Sequence, residues 1–222
     1  MSQKLLLTFN AGSSTVKIGI FAREPEGAKR VGKGVIDFRA EPLTFHLVEG
    51  PQVFDVPLVA KTDDLLHDVL EEVFDWLSEH YDLDAVSAVG HRVVHGGDRF
   101  ADAAVVDEEG LAAIESLVTL APLHQPQNLR LIRAIGELKP GLPQTASFDT
   151  AFHRTQSDVV RRFAIPREWF DKGVKRYGFH GLSYAYVAGA LKRLEPETAG
   201  GRAVVAHLGS GASLCALDHG IS

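Results

Sequence analysis

Lys4–Phe21 reads KLLLTFNAGSSTVKIGIF, and the reading of these residues decides the fold. An apolar run from Leu5 to Phe9 meets the small polar turn NAGSS, after which Val16, Ile18 and Ile20 alternate on one face; the pattern predicts a tight β-hairpin. Gly12 lets backbone approach a ligand closely, Ser13, Ser14 and Thr15 offer hydroxyls and N–H groups, and Lys17 brings a positive charge. The turn suits phosphate oxygens, or is an ordinary hairpin, since neither GxxxxGK[ST] nor GxGxxG is present.

Arg202–Asp218, RAVVAHLGSGASLCALD, repeats the pattern of apolar strand, Gly-Ser turn and alternating strand. Setting Gly12 against Gly209 superposes the two without a gap. Two copies point to a duplicated fold in which each hairpin heads one α/β lobe and the turns grip a polyphosphate from two sides; chance similarity of two hairpins is the other reading.

The 222 residues are 45% hydrophobic, enough for one large or two small cores. Against 29 Asp and Glu stand 23 Lys and Arg, a net charge of −6, which argues against a general nucleic-acid surface. The lone Cys215 leaves no intrachain disulfide and fits a reducing compartment. No apolar run approaches the roughly 18 residues of a membrane helix, and MSQKLLL lacks the features of a signal peptide, so a cytoplasmic protein is expected.

Between the hairpins, strands are expected at Val31–Phe38 and Leu43–Val48, with a turn and edge strand over Gly50–Pro57. Thr62 is expected to cap a helix with Asp63 and Asp64 at its positive end, and Leu65, Leu66, Val69, Leu70, Val73, Phe74 and Leu77 to form its apolar face. A strand over Ala85–Val94 leads into HGGDRF. Asp107 opens a helix carrying Leu111, Ile114, Leu117 and Val118, and APLHQP leads into another through Leu129, Ile132 and Leu138, stopped by Pro140 and Gly141. QTASFDTAFH gives a short strand and its exit, and a helix spans Ser183 to Leu194. The order predicts a mixed α/β sheet.

Polar clusters lie at element ends, where sites in α/β folds sit. In GHRVVHGG, His91 and His95 have the spacing of helical zinc ligands, but on a strand they stand about 13 Å apart. Arg92 is better read as an anion clamp, or as half of a structural ion pair. His124 in APLHQP and Asp149 in SFDTAFH form a second cluster. In YGFHGLS, His180 and Gly181 precede a helix whose N-terminus would attract an anion. Ser14, His124 and Asp149 also sort into a hydrolase triad, without a GxSxG elbow.

FNAGSSTVK, GHRVVHGG, APLHQPQN, FDTAFHRT, RYGFHGLS and HLGSGAS, in this order over nearly the whole chain, resemble the acetate kinase family. The resemblance implies an α/β fold of two duplicated ribonuclease H-like lobes, as in the sugar kinase and actin-like ATPase superfamily, here with residues 1–152 as the first lobe and 153–222 as the beginning of an incomplete second one. It implies transfer of the ATP γ-phosphoryl group to acetate, giving acetyl phosphate and ADP, with Mg²⁺, in a protein that is a homodimer when full length. Propionate or butyrate as acceptor, and a silent fragment, are the alternatives.

By the same resemblance, Asn10, Ser13, Ser14 and Lys17 serve the phosphate and magnesium side, with Asn10 toward the metal. Arg92 holds the carboxylate and the migrating phosphoryl group, and Val94 and Leu123 flank the acetate methyl. His124 and His180 donate to phosphoryl oxygens, Asp149 orients the nucleophile or a magnesium-bound water, and His207, Gly209, Ser210 and Gly211 meet the ATP phosphates. Three positions depart from the family pattern: Ser210 replaces asparagine, Leu182 threonine and Tyr184 histidine.

Overall fold

A computed structural model of the chain describes residues 3–209 and 211–222. It divides into two compact units, Met1–Val93 with Ala104–Ser147, and Val94–Ala103 with Phe148–Ser222.

In the first unit β1 (Leu5–Ala11), β2 (Thr15–Glu24), β3 (Gly27–Asp37), β4 (Thr44–Glu49) and β5 (Gln52–Pro57) form an antiparallel meander. α1 (Leu66–His80) then carries the chain to β6 (Val86–Val93), which lies parallel to β1. β7 (Ala104–Val105), α2 (Glu108–Glu115), α3 (Gln125–Leu138) and β8 (Gln144–Phe148) follow, and the eight-stranded sheet has the order β5-β4-β3-β2-β1-β6-β8-β7. β5 is the expected edge strand.

Alternation decides the faces. Leu7, Phe9 and Ala11 of β1 and Val16, Ile18 and Ile20 of β2 are buried with Val69, Leu70, Val73, Phe74 and Leu77 of α1 and Leu131, Ala134 and Ile135 of α3. Both helices therefore cover one sheet face, and the 3.6-residue spacing of their apolar positions puts those side chains there.

The first hairpin forms as expected, with innermost pair Ala11↔Val16 and the Gly12 N–H donating to the Thr15 carbonyl at 2.7 Å. Helix α1 differs from expectation. It begins at Leu66, with no side-chain cap, and Leu65 is 72% exposed. The cause is competition for the backbone ahead of it. Asp64 accepts the Lys61 N–H at 2.7 Å, holding a turn where a first helical turn was expected, and Glu72 reaches back from α1 to accept the Val59 and Ala60 N–H groups, each at 2.7 Å. Asp107 does cap α2, accepting the Gly110 N–H at 2.7 Å, but Leu117 and Val118 lie beyond its end.

The second unit contains the short helices α4 (Asp158–Arg161) and α5 (Arg167–Asp171), then α6 (Gly181–Leu194), α7 (Pro196–Ala199) and the hairpin of β9 (Arg202–His207) and β10 (Ser213–Asp218). α6 starts two residues before the expected Ser183. Cys215 and Leu217 turn inward onto Tyr184, while Val204 and Leu214 on the outer face are 71% and 72% exposed. The gapless superposition of the two hairpins does not carry into their registers. Ala11↔Val16 closes four residues, whereas His207↔Ser213 closes five. Ser210, at the centre of that second turn, lies outside the described residues.

Because Leu70 is fully buried and Leu65 is not, urea unfolding should separate them: Leu70→Ala should lose about 2–5 kcal/mol, and Leu65→Ala no more than about 0.5 kcal/mol. Equal losses would contradict the observed start of α1.

Candidate functional site

In the first unit, the register that buries Phe9 brings three polar residues onto the opposite sheet face. Asn10 pairs with Lys17 across β1 and β2, and Phe9 pairs with His91 across β1 and β6, so Arg92 comes level with Asn10. The Arg92 guanidinium donates from Nη1 to the Asn10 side-chain oxygen at 3.2 Å. Two cations and an amide thus occupy adjacent strands on the side away from the helices. Ser13 is exposed and Ser14 half-buried in the turn, where the Ser14 carbonyl accepts the Phe38 N–H at 2.9 Å. A cleft of about 620 Å³ opens beside this turn on the helix side, lined by Ser13, Ser14, Asp63, Asp64, Arg130 and Arg133. Its charges are mixed, and neither Lys17 nor Arg92 lines it.

His91, one residue before Arg92, points the other way. It stacks on Phe9 with ring centroids 6.0 Å apart, and its Nε2 lies 2.7 Å from the Gln144 side-chain oxygen. Burial pushes its imidazole down to about 4, against the weaker upward pull of Gln144. It is a neutral core residue. His124 stands at the start of α3 without a side-chain cap bond, exposed like its neighbour Leu123, while Gln125 and Asn128 anchor the connection inside.

In the second unit, the two glycines of HGGD have different reasons. A Cβ on Gly96 would lie 2.9 Å from Phe148 Cγ, and Gly97 has φ +58°. The Gly96 N–H donates to Thr150 Oγ1 at 2.9 Å, and the Gly97 N–H donates to His95 Nδ1 at 2.9 Å, leaving that nitrogen an acceptor. His95 meets Tyr177 and Phe179 edge to face, and burial lowers its pKa. Val94 and Asp149 are buried. The Asp149 carbonyl accepts the Gly181 N–H at 2.9 Å, and any Cβ at Gly181 would run into that carbonyl. Glycine is thus required where the Asp149 segment meets the start of α6.

His180 precedes α6 with φ +56°, a left-handed conformation uncommon outside glycine. Its ring stacks on His207 at 4.1 Å between centroids, and its Nδ1 lies 2.8 Å from Ser213 Oγ, which also bonds the Tyr184 hydroxyl. His207 Nδ1 lies 3.0 Å from Ser183 Oγ. Glycines 209 and 211 of the second turn are exposed, and a Cβ on Gly211 would stand 3.4 Å from His180 Nε2. His180, His207 and the second turn are therefore brought together.

Sequence reasoning missed two features here. Asp98 accepts from Arg154 at 2.7 Å and Lys175 at 2.6 Å, and also from Arg161. Burial alone would raise its pKa, but the bonds from Lys175 and Arg161 prevail and hold it at about 2. His153 is buried, with Nδ1 2.7 Å from Ser222 Oγ and Nε2 3.0 Å from the Phe179 carbonyl. The signal for the first was the acid after Gly-Gly with a basic run downstream. Nothing in the sequence singled out the second.

Residues 5–222 match the family model described as the Acetokinase family. The chain is 45% identical to an acetate kinase of Nitrobacter hamburgensis, over 98% of this chain and 54% of the relative, and 39% identical to one of Methylocella silvestris, over 99% and 56%. Among solved structures, a propionate kinase from Francisella tularensis matches with TM-score 0.87 and 31% identity, and the Porphyromonas gingivalis acetate kinase with TM-score 0.83 and 32% identity. Each covers 98% of this chain and 56% of the other. The chain spans about half the length of the relatives it matches.

The depressed pKa of His91 makes stability depend on pH. The folded chain takes up this proton only near pH 4, the unfolded chain near 6.5. The contribution is complete above about 6.5 and is lost as pH falls toward 4, by up to about 3 kcal/mol at about 1.4 kcal/mol per pH unit. Urea unfolding at stepped pH together with NMR titration of His91 checks this, and an imidazole titrating near 6.5 in the folded chain would contradict it.

Proposed function

The chain belongs to the acetokinase family, and from that premise we propose that it forms part of an acetate kinase, which moves the γ-phosphoryl group of ATP reversibly and in line to acetate, yielding acetyl phosphate and ADP. The observation that carries this reading is the Arg92 guanidinium, bonded to Asn10 and level with Lys17 on the sheet face turned away from the core.

Acetate is a competent nucleophile at neutral pH. The step therefore asks for alignment and charge neutralisation more than for a strong base. Arg92 offers a planar fork to the carboxylate and to the migrating phosphoryl oxygens, meeting most charge when the group is between donor and acceptor. Val94 and Leu123 would bound the methyl group, and His124 and His180 would donate to equatorial oxygens. Ser13, Ser14 and Lys17 from one turn, and His207, Gly209, Ser210 and Gly211 at the other, would hold the nucleotide phosphates. Asp149 would orient the nucleophile or a water.

Magnesium is the implied cation, and the donor chemistry fits it in one respect. Asn10 presents a neutral oxygen, and Mg²⁺ in phosphoryl-transfer sites keeps several waters and binds one or two protein oxygens beside substrate phosphates. When bound, it would neutralise phosphoryl charge. Asn10 would contribute one ligand while keeping its oxygen near Arg92. In this proposal residues 1–152 and 153–222 belong to separate lobes, and the full-length protein is a cytoplasmic homodimer.

Propionate is the second acceptor to test, because a propionate kinase is among the similar structures. One methylene is worth only about 1–3 kcal/mol of discrimination in a pocket. The test uses ATP, Mg²⁺ and either acid with hydroxylamine to trap the acyl phosphate, on the 222-residue chain and on a protein of the relatives' full length carrying it. Turnover is expected in the longer protein and little or none in the chain alone. Phosphorylation of a sugar hydroxyl and no short carboxylate by the longer protein would refute the assignment.

In that longer protein, Arg92→Ala should lower kcat by at least about 100-fold, the scale of losing one charge-stabilising donor. Arg92→Lys should recover part of it, keeping charge without the fork. Near-normal kcat with a lowered Tm would instead make Arg92 a purely structural residue.

A further inference from the structure

We propose that Tyr184 and Ser213 are positioning residues that hold neutral His180 in the tautomer with its proton on Nε2, so that one N–H is aimed at the second Gly-Ser turn. The geometry is independent of the assigned reaction; its catalytic meaning rests on the reading of His180 as a donor to phosphoryl oxygens.

Tyr184 is 1% exposed, and a buried phenol O–H needs an acceptor. Its hydroxyl hydrogen bond is to Ser213 Oγ, so the phenol donates there. Ser213 Oγ then accepts from Tyr184 and has its own hydrogen to place. Its other side-chain bond is to His180 Nδ1, at 2.8 Å. Serine therefore donates to Nδ1, which must be unprotonated to accept, and a neutral imidazole with a bare Nδ1 carries its hydrogen on Nε2. The reverse order, with His180 donating through Ser213 to the Tyr184 oxygen, would strand the phenol hydrogen in a buried site, and Tyr184 and His180 both donating to Ser213 would leave the serine hydrogen without a protein acceptor among the described residues.

Two further contacts fix the ring. His207 stacks against it with planes 24° apart, and His207 is itself tied to Ser183 at 3.0 Å. The left-handed backbone of His180 and the glycine requirement at Gly181 set where the ring starts. Nε2 then faces Gly211, 3.4 Å from where a Cβ would be. An imidazole at position 184 would have two tautomers and leave the direction of the Ser213 proton open. A phenol has one hydrogen and closes that choice.

The test is long-range ¹H–¹⁵N correlation NMR on the histidine-labelled 222-residue chain at about pH 8, where imidazoles are mostly neutral, with His180 assigned by its loss in His180→Gln. The wild type and Ser213→Thr, which keeps the hydroxyl, should show a protonated Nε2 and bare Nδ1. Tyr184→Phe and Ser213→Ala should replace that single pattern with a mixture of both tautomers. A protonated Nδ1 in the wild type overturns the proposal, as does a wild-type pattern in folded Tyr184→Phe or Ser213→Ala. Circular dichroism reports folding, and if Ser213→Ala does not fold, Tyr184→Phe decides the matter, since it removes one oxygen and keeps the ring. The readout needs no turnover, so failure of a full-length protein to make acetyl phosphate would count against the reaction and leave the tautomer result intact.

Discussion

Strand β1 is hydrogen-bonded on both sides, antiparallel to β2 and parallel to β6, and most of the first unit follows from that double register. With Leu7, Phe9 and Ala11 committed to the core, Asn10 has to face the other way, and its partner Lys17 and neighbour Arg92 go with it. Side chains alternate with a period of two, so a slip of one residue would drive a lysine and an arginine into the apolar layer beneath α1 and α3. That cost locks the register. The same constraint that builds the core therefore fixes the polar residues of the opposite face, without those residues having to stabilise the fold.

Much of this was legible because alternation and helical spacing are local signals. The hairpin at Gly12, the edge strand β5, the cap at Asp107 and the strand carrying Arg92 all follow from neighbours a few residues apart. The start of α1 was not legible, because Asp64 bonds back to the Lys61 N–H and Glu72 ties amides twelve and thirteen residues upstream, so the segment around Thr62 is committed elsewhere. The gapless match of the two hairpins misled in a similar way. Composition shows a Gly-Ser turn, but pairing alone shows how many residues it closes.

Of the candidate site, the residue types and their places at element ends could be read, while the partners that orient them could not. The acid after Gly-Gly draws notice to Asp98, but the sequence does not say that Arg154, Arg161 and Lys175 are the groups that converge on it. Nothing in the sequence shows that the Tyr184 hydroxyl bonds Ser213. Glycine is informative in the other direction: the carbonyl of Asp149 explains why position 181 tolerates no side chain, a fact that no propensity scale contains.

The outer face of the β9–β10 hairpin sets two forces against each other. Val204 and Leu214 leave an apolar surface in water, while the net charge of −6 keeps molecules apart. These two forces respond differently to salt. Coulomb repulsion between exposed charges is screened over a Debye length of about 8 Å at physiological ionic strength, and over about 3 Å at 1 M. Attraction between apolar surfaces is not screened, and ions such as sulfate strengthen it. Raising the ionic strength therefore weakens the repulsion between charges and leaves the attraction between such apolar faces in place.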